Sequence, residues 1–253
     1  MINKVLLRLQ LLGVFQMVFD PFKKLEEIQK VVCNGDKRKY YRFRISRQYA
    51  GDVTADCVGC FLDCAFCWSS RVNSRPAEIG KFYSVEKVFK KVVETARRKK
   101  LHRVRFSGGE PTLCIEHFSK LIELLGEKAS DLTCIIETNG ILIAKFPKLA
   151  KLLASYPNME VRVSIKGFDE ESFERITGAD KKYFWWQIEA IKTLLKHGAY
   201  AYCATMWETA GPKGVEKLMK TLLKHGVDGL ELECLYRYDF VMKRIRERGI
   251  KLY

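Results

Sequence analysis

Three cysteines, Cys60, Cys64 and Cys67, stand at a Cys-x3-Cys-x2-Cys spacing. One short loop can wrap that set around an iron–sulfur cube and hold three of its irons. A ferredoxin supplies four thiolates per cluster and leaves no iron open. Three thiolates leave one iron free to bind something else, which separates doing chemistry from passing electrons. Cys57 lies three residues upstream and keeps two other readings open. Cys57-x2-Cys60 and Cys64-x2-Cys67 make two Cys-x2-Cys pairs, as in zinc modules, but zinc modules space such pairs a dozen or more residues apart. With Cys57 as fourth ligand the loop would hold a closed electron-transfer cluster. The favoured reading has Cys57 end the preceding strand, outside the ligand set.

A second motif follows the loop. Phe106-Ser-Gly-Gly-Glu-Pro-Thr112 places two glycines just after a strand. Gly108 and Gly109 carry no side chain, so backbone there can approach a ligand closely. Their carbonyls could accept hydrogen bonds from a ligand ammonium, and Glu110 adds a charged acceptor. Two further polar segments end later strands, Glu137-Thr-Asn-Gly140 and Ser164-Ile-Lys-Gly-Phe-Asp169. Strand carboxyl ends are where ligands sit in parallel α/β architectures.

Taken together, Cys60-x3-Cys64-x2-Cys67 with an aromatic before the last cysteine and the Gly-Gly-Glu-Pro segment resemble the signature of the radical S-adenosylmethionine (radical SAM) superfamily. The resemblance covers roughly Gly51 to Glu233. It implies a 4Fe-4S cluster on Cys60, Cys64 and Cys67, with SAM on the open iron. It further implies that Gly108, Gly109, Glu110, Asn139, Ser164 and Lys166 surround SAM, with Ser164 and Lys166 at its ribose or carboxylate. The Thr-Asn-Gly segment and Thr177-Gly178 are similar to those of the glycyl-radical activating-enzyme-like group, although Ser164 stands where that group usually carries Asp. In such enzymes one electron, from a reduced ferredoxin or flavodoxin-type donor, cleaves SAM to a 5′-deoxyadenosyl radical. That radical abstracts hydrogen from a substrate, here a protein or small molecule. An RNA-modifying radical SAM enzyme and a non-enzymatic iron–sulfur electron carrier are the alternatives.

Helices and strands must position these groups. Asp20-Pro21 caps a helix over 22–32, and 40–46 alternates like a strand. After the cysteine loop, helices over 84–100, 115–128, 147–155, 184–196 and 215–224 alternate with strands near 105, 134, 163, 202 and 231. A basic helix over 240–248 closes the chain. Alternation of this kind means a parallel sheet. The expected fold is α/β, a partial (β/α)6 barrel open on one side, over residues 47–253, with a helix-and-strand extension over 1–46. The segment Thr193-Leu-Leu-Lys-His-Gly198 recurs as Thr221-Leu-Leu-Lys-His-Gly226, which reads as two matching helix endings, so His197 and His225 are expected to cap rather than catalyse.

Composition sets the outer limits. The 253 residues suit one well-buried core. Lys and Arg outnumber Asp and Glu by 45 to 30, a net charge of +15. That balance favours anionic partners. An anionic substrate fits it, and nucleic acid is a candidate not favoured, because basic helix faces such as 97–100 and 243–248 are commonly just solvated. Nine cysteines with one local cluster point to metal and a reducing, cytoplasmic compartment rather than a disulfide scaffold. The isolated Cys114, Cys134, Cys203 and Cys234 read as small apolar residues, with Cys203 and Cys234 as remote catalytic candidates. Only five Asn and five Gln fit a thermophile. No segment has the unbroken apolar length of a membrane span. The apolar stretch 5–19 reads as a packed or surface helix, and Met17 is an alternative start.

Overall fold

A computed structural model describes residues 18–253. The stretch 5–17 and the alternative start at Met17 lie outside the described residues. The first described helix, α1 (Pro21–Val32), starts where Asp20 accepts a 2.8 Å hydrogen bond from the Phe22 amide. Two antiparallel strands follow, β1 (Cys33–Asn34) and β2 (Lys37–Ser46).

The strand that enters the cysteine loop is β3 (Asp52–Cys57), separate from the alternation over 40–46. It pairs with β2 antiparallel, so β2 lies beside the parallel sheet and is not part of it. Cys57 ends this strand, as expected from the sequence, but its start at Asp52 is not marked, because its inward side is polar and aspartate is depleted in strands. From β3 the sheet runs parallel and in chain order through β5 (Arg103–Ser107), β6 (Thr133–Thr138), β7 (Met159–Ser164), β8 (Tyr200–Met206) and β9 (Leu230–Glu233). The short β4 (Lys81–Tyr83) pairs with β2. Among the described residues β9 pairs only with β8, so the six parallel strands form an open, partial barrel.

Side chains alternate across the barrel wall, as the strand period requires. Val53, Ala55, Val104, Phe106, Ile136, Val161 and Val163 are buried in the main core. That core also takes the apolar stripes of α3 (Val85–Arg98), α4 (Ile115–Lys128) and α8 (Phe184–Lys196). Three more helices occupied by short or unremarkable sequence are α5 (Ile141–Lys145), α6 (Lys148–Ala154) and α7 (Glu170–Thr177), the last held by an Asp169–Ser172 capping box. Helix α9 (Trp207–Lys224) begins earlier than expected and kinks at Gly211, where Pro212 follows. Trp207 opens this helix and does not line the cavity. His197 and His225 are the C-caps of α8 and α9, each followed by a left-handed glycine, as their echoed sequence implies.

Cys114, read as isolated, is instead joined to Cys33 in a disulfide that ties the end of α1 to the start of α4. Beside it, buried His117 donates from Nδ1 to the Asp36 carbonyl at 2.7 Å and accepts from the Tyr40 hydroxyl at 2.9 Å on Nε2. Burial pushes its pKa down to about 4. The unfolded chain therefore takes up a proton on this histidine near pH 6.5, which the folded chain refuses until about pH 4. The stability that the neutral ring contributes is complete above pH 6.5 and is lost as pH falls through that window, about 3 kcal/mol in all. Urea unfolding between pH 7 and pH 4 should show this loss, and His117→Gln should flatten it. An equal slope in the variant would remove His117 from the account.

No helix among the described residues is long and apolar enough to cross a membrane.

Candidate functional site

The cavity at the carboxyl ends of the parallel strands has a volume of about 630 Å³. Cys60, Cys64 and Cys67 line it, as do Gly108, Gly109, Glu110, Asn139, Ser164 and Lys166. These nine residues come from four separate segments of the chain. Cys57 is 1% exposed and does not line the cavity. Cys234 is exposed and lines it, whereas Cys203 and Cys134 are buried in the wall.

The cysteine loop gets its shape from the residues between the cysteines. Phe61, Leu62, Ala65 and Phe66 are buried, which leaves the thiols between them on the cavity side. Backbone bonds fasten the loop to the end of α7: Asp63 N donates to Thr177 O at 3.1 Å, and Ala65 N to Ile176 O at 2.8 Å. The last helix, α10 (Asp239–Glu247), adds a clamp. Arg244 and Arg248 each donate to the Asp63 carboxylate at 2.6 Å. Two cations of the basic 243–248 run are thus spent inside the protein rather than on a solvated face.

After the loop, Asn73 in α2 (Ser70–Asn73) accepts from Gly59 N at 2.9 Å and donates to Gly108 O at 3.3 Å, joining the two motifs. Nothing in the sequence marks Asn73, whose partners are brought near only by folding. The Gly-Gly turn is pressed against the same loop. Gly109 N donates to Cys57 O and Glu110 N to Gly59 O, both at 2.8 Å. A Cβ on Gly109 would sit 2.3 Å from the Gly59 carbonyl oxygen. The close approach that Gly109 allows is therefore first an approach to the cysteine loop. Gly109→Ala is expected to cost at least about 3 kcal/mol, since backbone must move to admit the methyl. Thermal melting should fall by about 6 to 12 °C. A melting point within a degree of the parent would show that the turn can relax.

Glu110 is 2% exposed. Its carboxylate accepts from Thr112 N, from the hydroxyls of Thr112 and Thr138 at 2.6 Å, and from Asn139 N at 2.9 Å. It therefore braces the ends of β5 and β6 as well as bordering the cavity. The Asn139 side chain accepts from Ile141 N through Oδ1, while its buried Nδ2 has no partner among the described residues. A buried donor left unpaired on a cavity wall needs a ligand acceptor or water. Lys166 lies over the Phe66 ring at 5.3 Å, beside the cysteine loop, and Arg162 donates to Ser164 Oγ at 3.4 Å.

Below the thiols the barrel interior is charged. Arg105 bonds Glu137 at 3.1 Å, lies 3.4 Å from Asp52, and donates to Ser46 and Thr54. Arg162 bonds Glu231 at 2.9 Å and Glu233 at 3.0 Å. Burial pushes Glu137 upward, but Arg105, Arg162 and the hydroxyls of Ser107 and Tyr49 outweigh it and hold the carboxyl below its usual range. Motif reading missed this layer because its charges are scattered singly along strands.

The donor set suits an iron–sulfur cluster. Burial pushes all three thiols up, Cys67 to about 11, so without a cation they stay protonated. A bound metal supplies the positive charge that deprotonates them. Among the described residues no three His, Cys, Asp or Glu side chains converge tightly enough for a single ion. A cube needs no such convergence, because each thiolate takes a different iron.

Comparison with known proteins bears on the same segment. The family model for the radical SAM superfamily matches residues 56–207. A putative glycyl-radical enzyme activating enzyme of Methanocaldococcus jannaschii is 27% identical over 130 residues, 51% of this chain and 45% of that protein. The 7-carboxy-7-deazaguanine synthase of Methanothermobacter thermautotrophicus is 23% identical over 172 residues, 66% of each chain. Among solved structures, Streptococcus suis SuiB bound to S-adenosylmethionine superposes with a TM-score of 0.58 at 18% identity, over 72% of this chain and 41% of SuiB. The chain thus spans about half to two thirds of the length of these curated relatives.

Proposed function

Because the chain belongs to the radical SAM superfamily, we propose that it is an enzyme that cleaves S-adenosylmethionine reductively and turns the resulting radical on a substrate of its own. Cys60, Cys64 and Cys67 would hold a 4Fe-4S cluster, which would supply the one electron for reductive cleavage of SAM and so the radical chemistry at the substrate. The observation that carries this reading is the gathering of Cys60, Cys64 and Cys67 with the six expected SAM neighbours around one cavity.

The chain's own groups then have distinct tasks. The three thiolates hold the cluster, and Cys57 stays out of the ligand set. Gly108 and Gly109, fixed to the cysteine loop, set the height of the turn against the bound SAM. Glu110 keeps the ends of β5 and β6 in register for it. Asn139 Nδ2 donates to an acceptor on SAM. Ser164 and Lys166 face its ribose or carboxylate from the end of β7. Leu62, Phe66 and Met206 supply apolar wall that excludes water from the radical. A reduced ferredoxin or flavodoxin-type protein delivers the electron. The Thr-Asn-Gly segment and the activating-enzyme relative favour an activating-enzyme-like branch.

The test is electron paramagnetic resonance on anaerobically reconstituted, dithionite-reduced protein, with and without SAM. A reduced 4Fe-4S signal that changes when SAM is added is the expected result. A signal indifferent to SAM, or protein that binds no iron, would overturn the reading and favour the electron-carrier alternative.

A further inference from the structure

The two borders of the barrel's gap carry different chemistry. The gap lies between β2, next to the first parallel strand, and β9, the last. A hydrogen bond from Gln48 Nε2 to the Tyr236 hydroxyl, 2.9 Å long, crosses it. On the β2 side, Arg42, Arg44 and Arg47 line the cavity. Arg42 and Arg44 both donate through Nε to one oxygen of Asp56, at 2.7 and 2.8 Å. Both guanidiniums also lie over the Trp68 ring, at 5.7 and 5.8 Å. Arg47 is exposed and joins no ion pair among the described residues. Deeper in the barrel, Arg105 and Arg162 each meet two carboxylates. At the mouth, Arg42 and Arg44 share one carboxylate, and Arg47 has none among the described residues.

The β9 side is aromatic. Tyr236 and Tyr238 line the cavity and are each 50% exposed. Their rings are nearly parallel, 18° apart with centroids at 6.1 Å, and Tyr238 continues onto Phe240 at 5.5 Å and 5°. Arg71 covers Phe240 at 4.4 Å and closes that end of the ladder. Parallel tyrosines left half uncovered at a cavity mouth suit a planar partner, which stacks on them. Unmatched guanidiniums across the gap suit a carboxylate or phosphate, which they bind by paired charge-assisted hydrogen bonds.

We propose that the substrate is a small molecule combining a planar aromatic ring with an anionic group. The ring stacks on Tyr236, the end of the ladder that Tyr238 and Phe240 continue, and Arg42, Arg44 and Arg47 hold the carboxylate or phosphate. The inference rests on the reading of this cavity as the place of hydrogen abstraction. A polynucleotide would need cations leading along the surface to the mouth. The basic run of α10 instead gives Arg244 and Arg248 to Asp63.

The reconstituted full chain is titrated, with SAM present, with 2-naphthyl phosphate, 2-naphthoate, the neutral 2-naphthamide and inorganic phosphate, binding being read by calorimetry. Naphthyl anions are expected to bind at least about tenfold more tightly than naphthamide, the size of one charge-assisted hydrogen bond. They should also bind at least about tenfold more tightly than inorganic phosphate, since stacking adds to charge. The tighter of the two anions identifies the group. Arg47→Gln should weaken both anions about tenfold without touching naphthamide. Tyr236→Ala should weaken every naphthyl ligand. Arg47 is the chosen arginine because losing Arg42 or Arg44 would strip a partner from buried Asp56. Equal binding of naphthamide and the anions, indifference to Arg47→Gln, or displacement of the anions by SAM mole for mole would overturn the proposal. The SAM-dependent resonance signal of the same wild-type preparation reports separately on the SAM reading, so either can fail alone.

Discussion

Replacing Cys60, Cys64 or Cys67 singly by alanine should abolish the SAM-responsive cluster, while Cys57→Ala should retain it. The three thiols line one cavity on a loop whose intervening residues are buried. Cys57 ends β3 and is buried away from that cavity. Taking one thiolate from a three-thiolate set leaves two irons without protein ligands, and such a cluster is not held. Iron and sulfide content after anaerobic reconstitution, with the reduced resonance signal, measures the loss. Cys57→Ala removes only a small buried side chain, at a cost of about 1 kcal/mol. Circular dichroism separates lost ligands from lost fold. Retention of a SAM-responsive cluster in any of the three variants, or its loss in Cys57→Ala with native melting, would reassign the ligand set.

Reducing the Cys33–Cys114 disulfide should lower stability by about 4 kcal/mol. The bond closes a loop of sequence separation 81, and the chain entropy it removes from the unfolded state grows with the logarithm of that length. Melting in the presence and absence of a phosphine reductant, with Cys33→Ser as a reductant-insensitive reference, gives the difference. If reductant leaves the parent's melting point unchanged and free-thiol titration finds both cysteines reduced beforehand, the staple does not form in solution. The disulfide bears on handling, since conditions that load a cluster also reduce it. It also qualifies the compartment inferred from cysteine usage, because a structural disulfide is uncommon where thiols are kept reduced.

Neither member of that pair could be matched from the sequence. Cys33 and Cys114 are 81 residues apart in sequence, and pairing depends on folding bringing their Cα atoms close, here to 5.6 Å. The same limit explains Asp63, whose partners Arg244 and Arg248 lie more than 180 residues away. It explains the extent of β3 as well, since three polar inward residues, Asp52, Thr54 and Asp56, suit a strand only when a charged barrel interior surrounds them. Helices α3, α4 and α8 were legible because each carries a stripe of apolar residues at helical spacing, a local property.

What the sequence by itself determined was local chemistry: the three-cysteine spacing, the Gly-Gly-Glu-Pro turn, and the alternation of strands and helices that makes a parallel barrel. Those depend on neighbours along the chain. Only the tertiary structure decided that Cys57 faces away from the cavity while Cys60, Cys64 and Cys67 line it, and that Gly109 is needed by the cysteine loop's own backbone. It also decided which arginines are matched by carboxylates and which are left at the mouth. Burial and charge balance are sums over groups distant in sequence, so they exist only once the chain has brought those groups together.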